Sequence, residues 1–489
     1  MLKKYLIKTN IIAIVAFIFR ILSFNTCNAQ ENSPNIIFIV TDDQGPWTLS
    51  AQDYPNTYTP GIDSLAEEGA ILENAYAQSA VCSPARASLI SVRYCSETGI
   101  VDWIRSDSKN GLDTSLVTWP KVLSNAGYQT ALVGKWHLGD EKHYLPTQRG
   151  YDRFTGFPHG GMRSKSPHVL VEGKWKTFKG KFTPDVLTDF AMDYVREFQD
   201  HPFAISLHYW APHANTDFPE GFQPTYDDRS WLPLKEEDLK HWDEMDLKLP
   251  NPDFPNLDVE RVKRMMREFY AAIHSVDRNI SRLMNLLDEL NLAQNTIVIF
   301  TSDHGYMMGH HGLWHKGNGR WITTDRNDPF GLYENGRPNL YAYSLKVPCV
   351  IRWPEVIKPG TVIEETVEFI DWFPTILAMT SVDKPDRITL RGDNFLPLLK
   401  GKDIAWDNSL YVEYKNLRSY RTQEWKLVRH FDDPERDELY HIAIDPEENV
   451  NIIHDSRKQI QVIINKLYKL IINKMRYLND PLLKKNVDL

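Results

Sequence analysis

The chain has 489 residues, a formal net charge of -9 and ordinary glycine, proline and apolar content. That length can bury a large core and supply two or more domains, which sets aside a disulfide-stapled miniature fold or a low-complexity polymer. An acidic chain is also a poor nucleic-acid binder, so any anionic partner must be held by a local basic pocket.

Residues 1–29 stand apart. Lys3, Lys4 and Lys8 precede the apolar run Ile11 to Phe19, and Cys27-Asn28-Ala29 offers a small residue for cleavage. This is the pattern of a secretory signal peptide, with Arg20 an irregularity in its tail. The run is short for a spanning helix, so the expectation is export to the periplasm or beyond, with retention as a membrane or cell-surface anchor as the alternative. Cleavage removes four positive charges and moves the net charge from -9 to -13. Of the four cysteines, Cys27 leaves with this segment. Cys95 and Cys349 either pair in an oxidising compartment or stay buried and free.

Ile36-Ile37-Phe38-Ile39-Val40 is an apolar run without alternation, as expected of a central parallel strand buried on both faces. It ends in Asp42-Asp43. Ligands in open α/β sheets bind beyond the carboxyl ends of strands, so this pair is either a metal site or an acidic turn. Thr59 to Gly69 reads as a helix, and Ala70 to Ala77 as a short extended piece leading into Cys82-Ser83-Pro84-Ala85-Arg86. There Ser83 can cap a helix whose first residue is Pro84, leaving Cys82 just ahead of the N-terminus. Backbone N–H groups and the guanidinium of Arg86 then favour an anion held against Cys82. A buried cysteine at the start of an ordinary helix is the competing reading.

Tyr128 to Val133 reads as a buried strand, and the turn at Gly134 presents Lys135 and His137 on one side, a cation beside an imidazole. Phe203 to Tyr209 is another buried run, ending near Pro212-His213. Residues 216–256 show little periodicity and read as an irregular connection. Apolar residues spaced by three and four from Val259 to Leu290 predict a long amphipathic helix, with His274 and Asp277 in packing and salt-bridge roles. Thr296 to Phe300 repeats the buried-strand pattern and ends in Asp303-His304. If its strand neighbours that of Asp42, the carboxylates of Asp42, Asp43 and Asp303 converge. Three converging carboxylates call for a divalent hard cation, and calcium suits an oxygen-rich site better than zinc.

Lys316 closes the segment Gly309 to Gly317. About thirty residues follow before the strand near Val347 to Pro354. They carry Arg320, Trp321, Arg326 and Arg337, and form either a sugar-contacting loop or a solvated insertion. From about Ser409 short alternating strands (Leu410 to Tyr414, Trp425 to His430) give way to an amphipathic helix over Ile460 to Tyr477. The expected architecture is therefore α/β: a large, mixed but mostly parallel sheet sandwiched by helices over residues 30–405. A smaller antiparallel sheet with one helix follows over 406–489.

Five ordered blocks, Asp42-Asp43, Cys82 to Arg86, Gly127 to His137, Pro212-His213 and Asp303 to Lys316, resemble those of type I sulfatases in the alkaline phosphatase superfamily. Two positions depart from the usual pattern: Val92 stands where a glycine is common, and Cys95 where a proline is. The resemblance implies that a maturation enzyme oxidises Cys82 to Cα-formylglycine, whose hydrate attacks sulfur. It further implies one divalent ion, expected to be calcium, held by Asp42, Asp43, Asp303, His304 and residue 82. His304 replaces an asparagine common at that place. Arg86, Lys135 and Lys316 would balance sulfuryl charge, His213 or Lys316 would protonate the leaving oxygen, and His137 would take the proton that releases sulfate. The implied substrate is a sulfated oligo- or polysaccharide, an algal polymer such as ulvan first and a glycosaminoglycan second. A phosphodiesterase or phosphonate monoester hydrolase of the same superfamily, and a secreted glycan-binding protein with an unmodified thiol, are the alternatives.

Overall fold

The computed structural model describes residues 33–216, 229–324 and 336–485. The proposed signal segment and Arg326 lie outside the described residues.

Strand β1 (Asn35–Thr41) is buried along its whole length. Ile36, Phe38 and Val40 enter one apolar core and Ile37 and Ile39 another, because successive side chains of a strand face opposite ways. Two cores explain the unbroken apolar run. Around it lie β2 (Ala70–Tyr76), β3 (Gln129–Lys135), β4 (Arg153–Phe157), β5 (His168–Val171), β6 (Lys174–Thr177), β7 (Phe203–His208) and β8 (Thr296–Ser302). A separate three-stranded sheet holds β9 (Leu313–Trp314), β10 (Asn318–Trp321) and β11 (Arg337–Pro338). With β12 (Cys349–Arg352) and β13 (Thr361–Glu368) the main sheet has ten strands, in the order β13-β2-β12-β8-β1-β7-β3-β4-β5-β6. The stretch β8-β1-β7-β3-β4 is parallel, β12 runs antiparallel between β8 and β2, and β5-β6 is an antiparallel hairpin at the edge.

Helices cover both faces. On the side of Ile37 pack α1 (Pro60–Glu67), and on the other side α2 (Cys82–Ser91) and α3 (Trp119–Asn125). The long helices α4 (Thr183–Phe198) and α5 (Val259–Glu289) join α1 through residues such as Leu187, Val195, Val276, Ile280 and Leu287. Asp258 caps α5 by accepting from the Arg261 N–H at 3.2 Å. Among the described residues Asp277 on α5 forms no salt bridge: its carboxylate accepts the N–H groups of Gly61 (3.0 Å) and Ile62 (2.7 Å), capping α1 from a neighbouring helix. His274 packs against Tyr58 and Trp242, as expected.

Helix α6 (Trp372–Thr380) completes the second face. The C-terminal sheet, β14 (Leu410–Tyr414), β15 (Leu417–Arg421), β16 (Lys426–His430) and β17 (Glu438–Tyr440), is antiparallel in sequence order. With α7 (Lys458–Leu478) it contributes Tyr411, Leu427, Leu439, Leu467 and Ile471 to the core that holds α2 and α6. Buried Arg418 fastens the two through Asp480 at 2.7 Å. Among the described residues Cys95 and Cys349 are buried and unpaired.

Candidate active site

Strands β1 and β8 are parallel neighbours with Thr41 opposite Ser302, so their tips deliver Asp42-Asp43 and Asp303-His304 to one place. The Asp43 N–H donates to Asp303 Oδ1 at 3.2 Å. Its φ of 73° is a left-handed conformation that aspartate tolerates better than bulkier residues. Above these tips lies the start of α2. Its N-cap is Val81 and Cys82 is its first residue, two positions earlier than Ser83 and Pro84 suggested. Ser83 does not cap, because its hydroxyl accepts the Ile104 N–H at 2.9 Å. Pro84 still falls in the first turn, where a missing N–H leaves no bond unmade.

Around Cys82 Sγ stand Lys316 Nζ at 3.0 Å, His304 Nε2 at 3.3 Å and Asp42 Oδ1 at 3.4 Å. The ligand atoms of Asp42, Asp43, Cys82 and His304 lie within 4.8 Å of one another. Asp303 Oδ1 is 3.4 Å from His304 Nε2. Charge is matched pair by pair: Lys135 with Asp42, Lys316 with Asp43, and Arg86 Nε with Asp303 Oδ2 at 2.9 Å. Three buried cations thus answer three buried acids, so carboxylate repulsion alone does not demand an added ion. The donor chemistry still suits one. His304 Nδ1 lies 2.8 Å from the Gly305 carbonyl, which fixes its proton there and turns an unprotonated Nε2 toward Asp43 Oδ1 at 3.2 Å. A ring nitrogen lone pair facing carboxylate oxygens is the arrangement of a metal ligand oriented from behind.

The other histidines are oriented in the same way. His137 Nε2 faces the Ile104 carbonyl at 2.9 Å, so its proton sits there, and the buried Nδ1 has no partner among the described residues. Burial, then Lys135, holds this imidazole well below its ordinary range, which keeps it neutral with a free lone pair. His213 Nδ1 is 2.7 Å from the Ala214 carbonyl and its Nε2 lies 3.5 Å from Asp43 Oδ2. Burial opposes the charge on Asp42, yet Lys135, His213, Arg86 and Lys316 hold its carboxyl well below the usual range. The Cys82 thiol moves the other way: burial and then Asp42 push it up to about 12. As a plain thiol it is therefore a poor nucleophile at neutral pH.

Cys82, Lys135, His137, His213 and Lys316 line one cavity of about 710 Å³. Arg86 lies behind the wall, bonded to Asp303 and to the Lys135 carbonyl at 3.1 Å, with Nη2 buried and unpartnered among the described residues. The three residues expected to contact sugar do not reach this cavity. Trp321 is buried among Leu313, Tyr341 and Tyr440, and Arg337 pairs with Glu438 at 2.9 Å and stacks on Tyr341. Arg320, next to Trp321 on β10, is also absent from the lining. Trp321 and Arg337 turn instead toward the C-terminal sheet, whose Tyr440 and Glu438 offer them better burial and pairing than solvent does. Sequence reasoning missed Trp103, His159, Arg163, His168, Arg229 and His315, which do line the cavity. It also missed His208, 3.3 Å from Arg86 at the end of β7, whose only signal was its place at the tip of a buried strand.

The sulfatase family profile matches residues 34–382, and that of the N-sulphoglucosamine sulphohydrolase C-terminal region matches 330–476. The chain belongs to the type I sulfatase family and is a sulfuric ester hydrolase. It is 29% identical to an N-acetylglucosamine-6-O-sulfatase of Bacteroides thetaiotaomicron, over 88% of this chain and 85% of the relative. It is 26% identical to an ulvan-active sulfatase of Formosa agariphila, over 92% and 83%. Among solved structures, a Bacteroides fragilis protein superposes with a TM-score of 0.76 at 23% identity, covering 93% of this chain and 98% of the other. The phosphonate monoester hydrolase of Agrobacterium radiobacter gives 0.65 at 20%, covering 91% and 96%.

Proposed function

We propose that this enzyme removes sulfate from a sulfated carbohydrate, with residue 82 as nucleophile after conversion of its cysteine to Cα-formylglycine. The observation that carries this reading is the setting of Cys82: a thiol pushed up to about 12 by burial, yet placed within 3.4 Å of Lys316, His304 and Asp42. Such a position is wasted on a thiol and suits an oxygen nucleophile. The aldehyde supplies, as its hydrate, two hydroxyl groups on one carbon, one for attack on sulfur and one whose deprotonation sets sulfate free. Asp42, Asp43, Asp303 and His304 would hold the divalent ion, calcium in our reading, which would supply positive charge that eases ionisation of an oxygen.

The protein's own residues divide the remaining work. Lys135 and Lys316, at the cavity wall, offset charge on the sulfuryl oxygens, and Arg86 fixes Asp303 and Lys135 from behind. His137 Nδ1, neutral and unpartnered, takes the proton from the second hydroxyl. Lys316 delivers a proton to the departing sugar oxygen, because His213, also a candidate by sequence, keeps its own proton on Nδ1 against the Ala214 carbonyl and presents an unprotonated Nε2.

Relatives that act on N-acetylglucosamine-6-O-sulfate and on ulvan support a sugar substrate, algal polymers such as ulvan first and glycosaminoglycans second. The leader-like segment 1–29 supports export, and among the described residues no helix is long and apolar enough to cross a membrane. The test is sulfate release from ulvan oligosaccharides, N-acetylglucosamine-6-sulfate and an aryl sulfate, beside the matching phosphate esters. Sulfate release lost in Cys82→Ala supports the assignment; wild-type activity in that variant, or preference for phosphate or phosphonate esters, refutes it.

A further inference from the structure

The chain holds fourteen tryptophans, and two are exposed among the described residues at 44% each: Trp103, which lines the catalytic cavity, and Trp175, which stacks on rings that line it. Trp103 lines it directly, on the loop whose Ile104 carbonyl holds His137 Nε2 at 2.9 Å. Trp175, on edge strand β6, is nearly parallel to two lining rings, His168 (centroids 4.8 Å apart, 11°) and His159 (6.0 Å, 12°). Gly160, beside His159, lies so close to His137 that a Cβ there would come within 2.5 Å of its ring. Both aromatic groups are thus tied through short backbone links to the same catalytic imidazole, and neither is part of the machinery around Cys82.

Single exposed apolar residues are common and need no function. Two exposed indoles at one cleft, in a chain that buries or half-buries the other twelve, are a concentrated apolar surface in a place open to substrate. The charge there also runs against the net sign of the molecule. Residues 159–181 carry six lysines and arginines against one acid, Glu172, in a chain of net charge -9. Among the described residues, no ion pair is formed by Lys174, Lys176 or Lys179, whereas the acids of the adjoining α4 are occupied: Asp185 by Lys235, Asp189 by Arg282, Asp193 by Arg196 and Glu197 by Arg153. Lysines on an edge strand also discourage strand pairing between molecules, which accounts for β6 but not for Arg163, Lys165 or Lys179 outside it.

We propose that this rim, Trp103 together with the ring stack His159, Trp175 and His168, binds the sugar next to the one whose sulfate is removed. The ligand is then an anionic saccharide chain of at least two rings, drawn in by the basic segment 159–181. This rests on the reading of the cavity as a sulfatase site and adds the size and charge of its substrate.

The test compares wild type with Trp103→Ala, Trp175→Ala and the conservative Trp103→Phe and Trp175→Phe. The substrates are 4-nitrophenyl sulfate, a sulfated monosaccharide, and a sulfated tetrasaccharide from whichever polymer of ulvan, carrageenan, heparin and chondroitin sulfate releases sulfate fastest. The expected result is about a tenfold loss of kcat/KM on the tetrasaccharide in each alanine variant, the scale of one lost aromatic contact, carried by KM. The phenylalanine variants should recover most of it, and the aryl and monosaccharide sulfates should change less than twofold. Equal losses on all three substrates, no loss on the tetrasaccharide, or wild-type hydrolysis of the aryl ester without any of the saccharides would overturn the rim assignment and leave the sulfatase reading standing. Absence of sulfate release from every ester would instead remove the reading on which it rests.

Discussion

Ser83 shows what a residue can do when tertiary demands outbid local propensity. Its hydroxyl, a natural helix cap by sequence, accepts from Ile104 N–H, and the carbonyl of that same Ile104 orients His137. Ser83→Ala should therefore cost about five- to tenfold in kcat with little change in KM, as expected for one lost buried hydrogen bond of about 1–1.5 kcal/mol. An unchanged kcat, or a loss confined to KM, would contradict the link. Val92, where relatives of the pattern carry glycine, ends α2 at φ 56° and ψ 42° while fully buried. Left-handed backbone costs a β-branched residue about 1–2 kcal/mol, and burying its side chain returns about 1.5–3 kcal/mol, so valine is tolerated. Cys95 is the first residue of the short helix Cys95–Thr98, the position where proline is favoured but not required. These departures were legible in the sequence, while their consequences depended on φ and burial, which no motif records.

At the scale of elements, strands buried on both faces announced themselves. β1, β7 and β8 were readable as apolar runs, and so was the convergence of Asp42, Asp43 and Asp303, because acids at the tips of parallel neighbours must meet. The hairpin β5-β6 and the sheet β9-β11 were not readable, since edge strands carry lysines and half-buried residues without a clean period. The insertion misled for a related reason: arginines and aromatics suit a sugar contact or a domain seam equally well, and Glu438 decided for the seam. Beside that seam, Lys346 bridges to Tyr76 of β2. Burial, then Arg421, pushes its ammonium down from 10.5 to about 8. Because the folded value lies below the unfolded one, the stability it contributes is present above pH 10.5 and lost as pH falls through 8. Lys346→Met should accordingly stabilise the protein at pH 6.5 by up to about 3 kcal/mol in urea unfolding, with the gain gone near pH 10.5. A gain independent of pH would show that the amine is not the cause.

Across the whole molecule, the ten-stranded sheet serves as a frame that brings five separated segments to one cavity, and the C-terminal sheet shares its core and closes the side where the insertion lies. The one-to-one pairing of three cations with three acids means that folding and metal binding are separable here. Treatment with EDTA should thus abolish sulfate release while lowering Tm by only a few degrees, and calcium should restore activity. Full activity in the stripped enzyme would count against the metal, and global unfolding would count against the pairing as the stabilising device.

The central claim concerns the chemical identity of one side chain. It is tested most directly by the mass of the peptide spanning residue 82, taken from active enzyme produced together with a formylglycine-generating maturation enzyme. The account predicts a mass lower than that of the cysteine peptide, by the replacement of a thiol with an aldehyde, in proportion to specific activity. An intact thiol in fully active enzyme would contradict it.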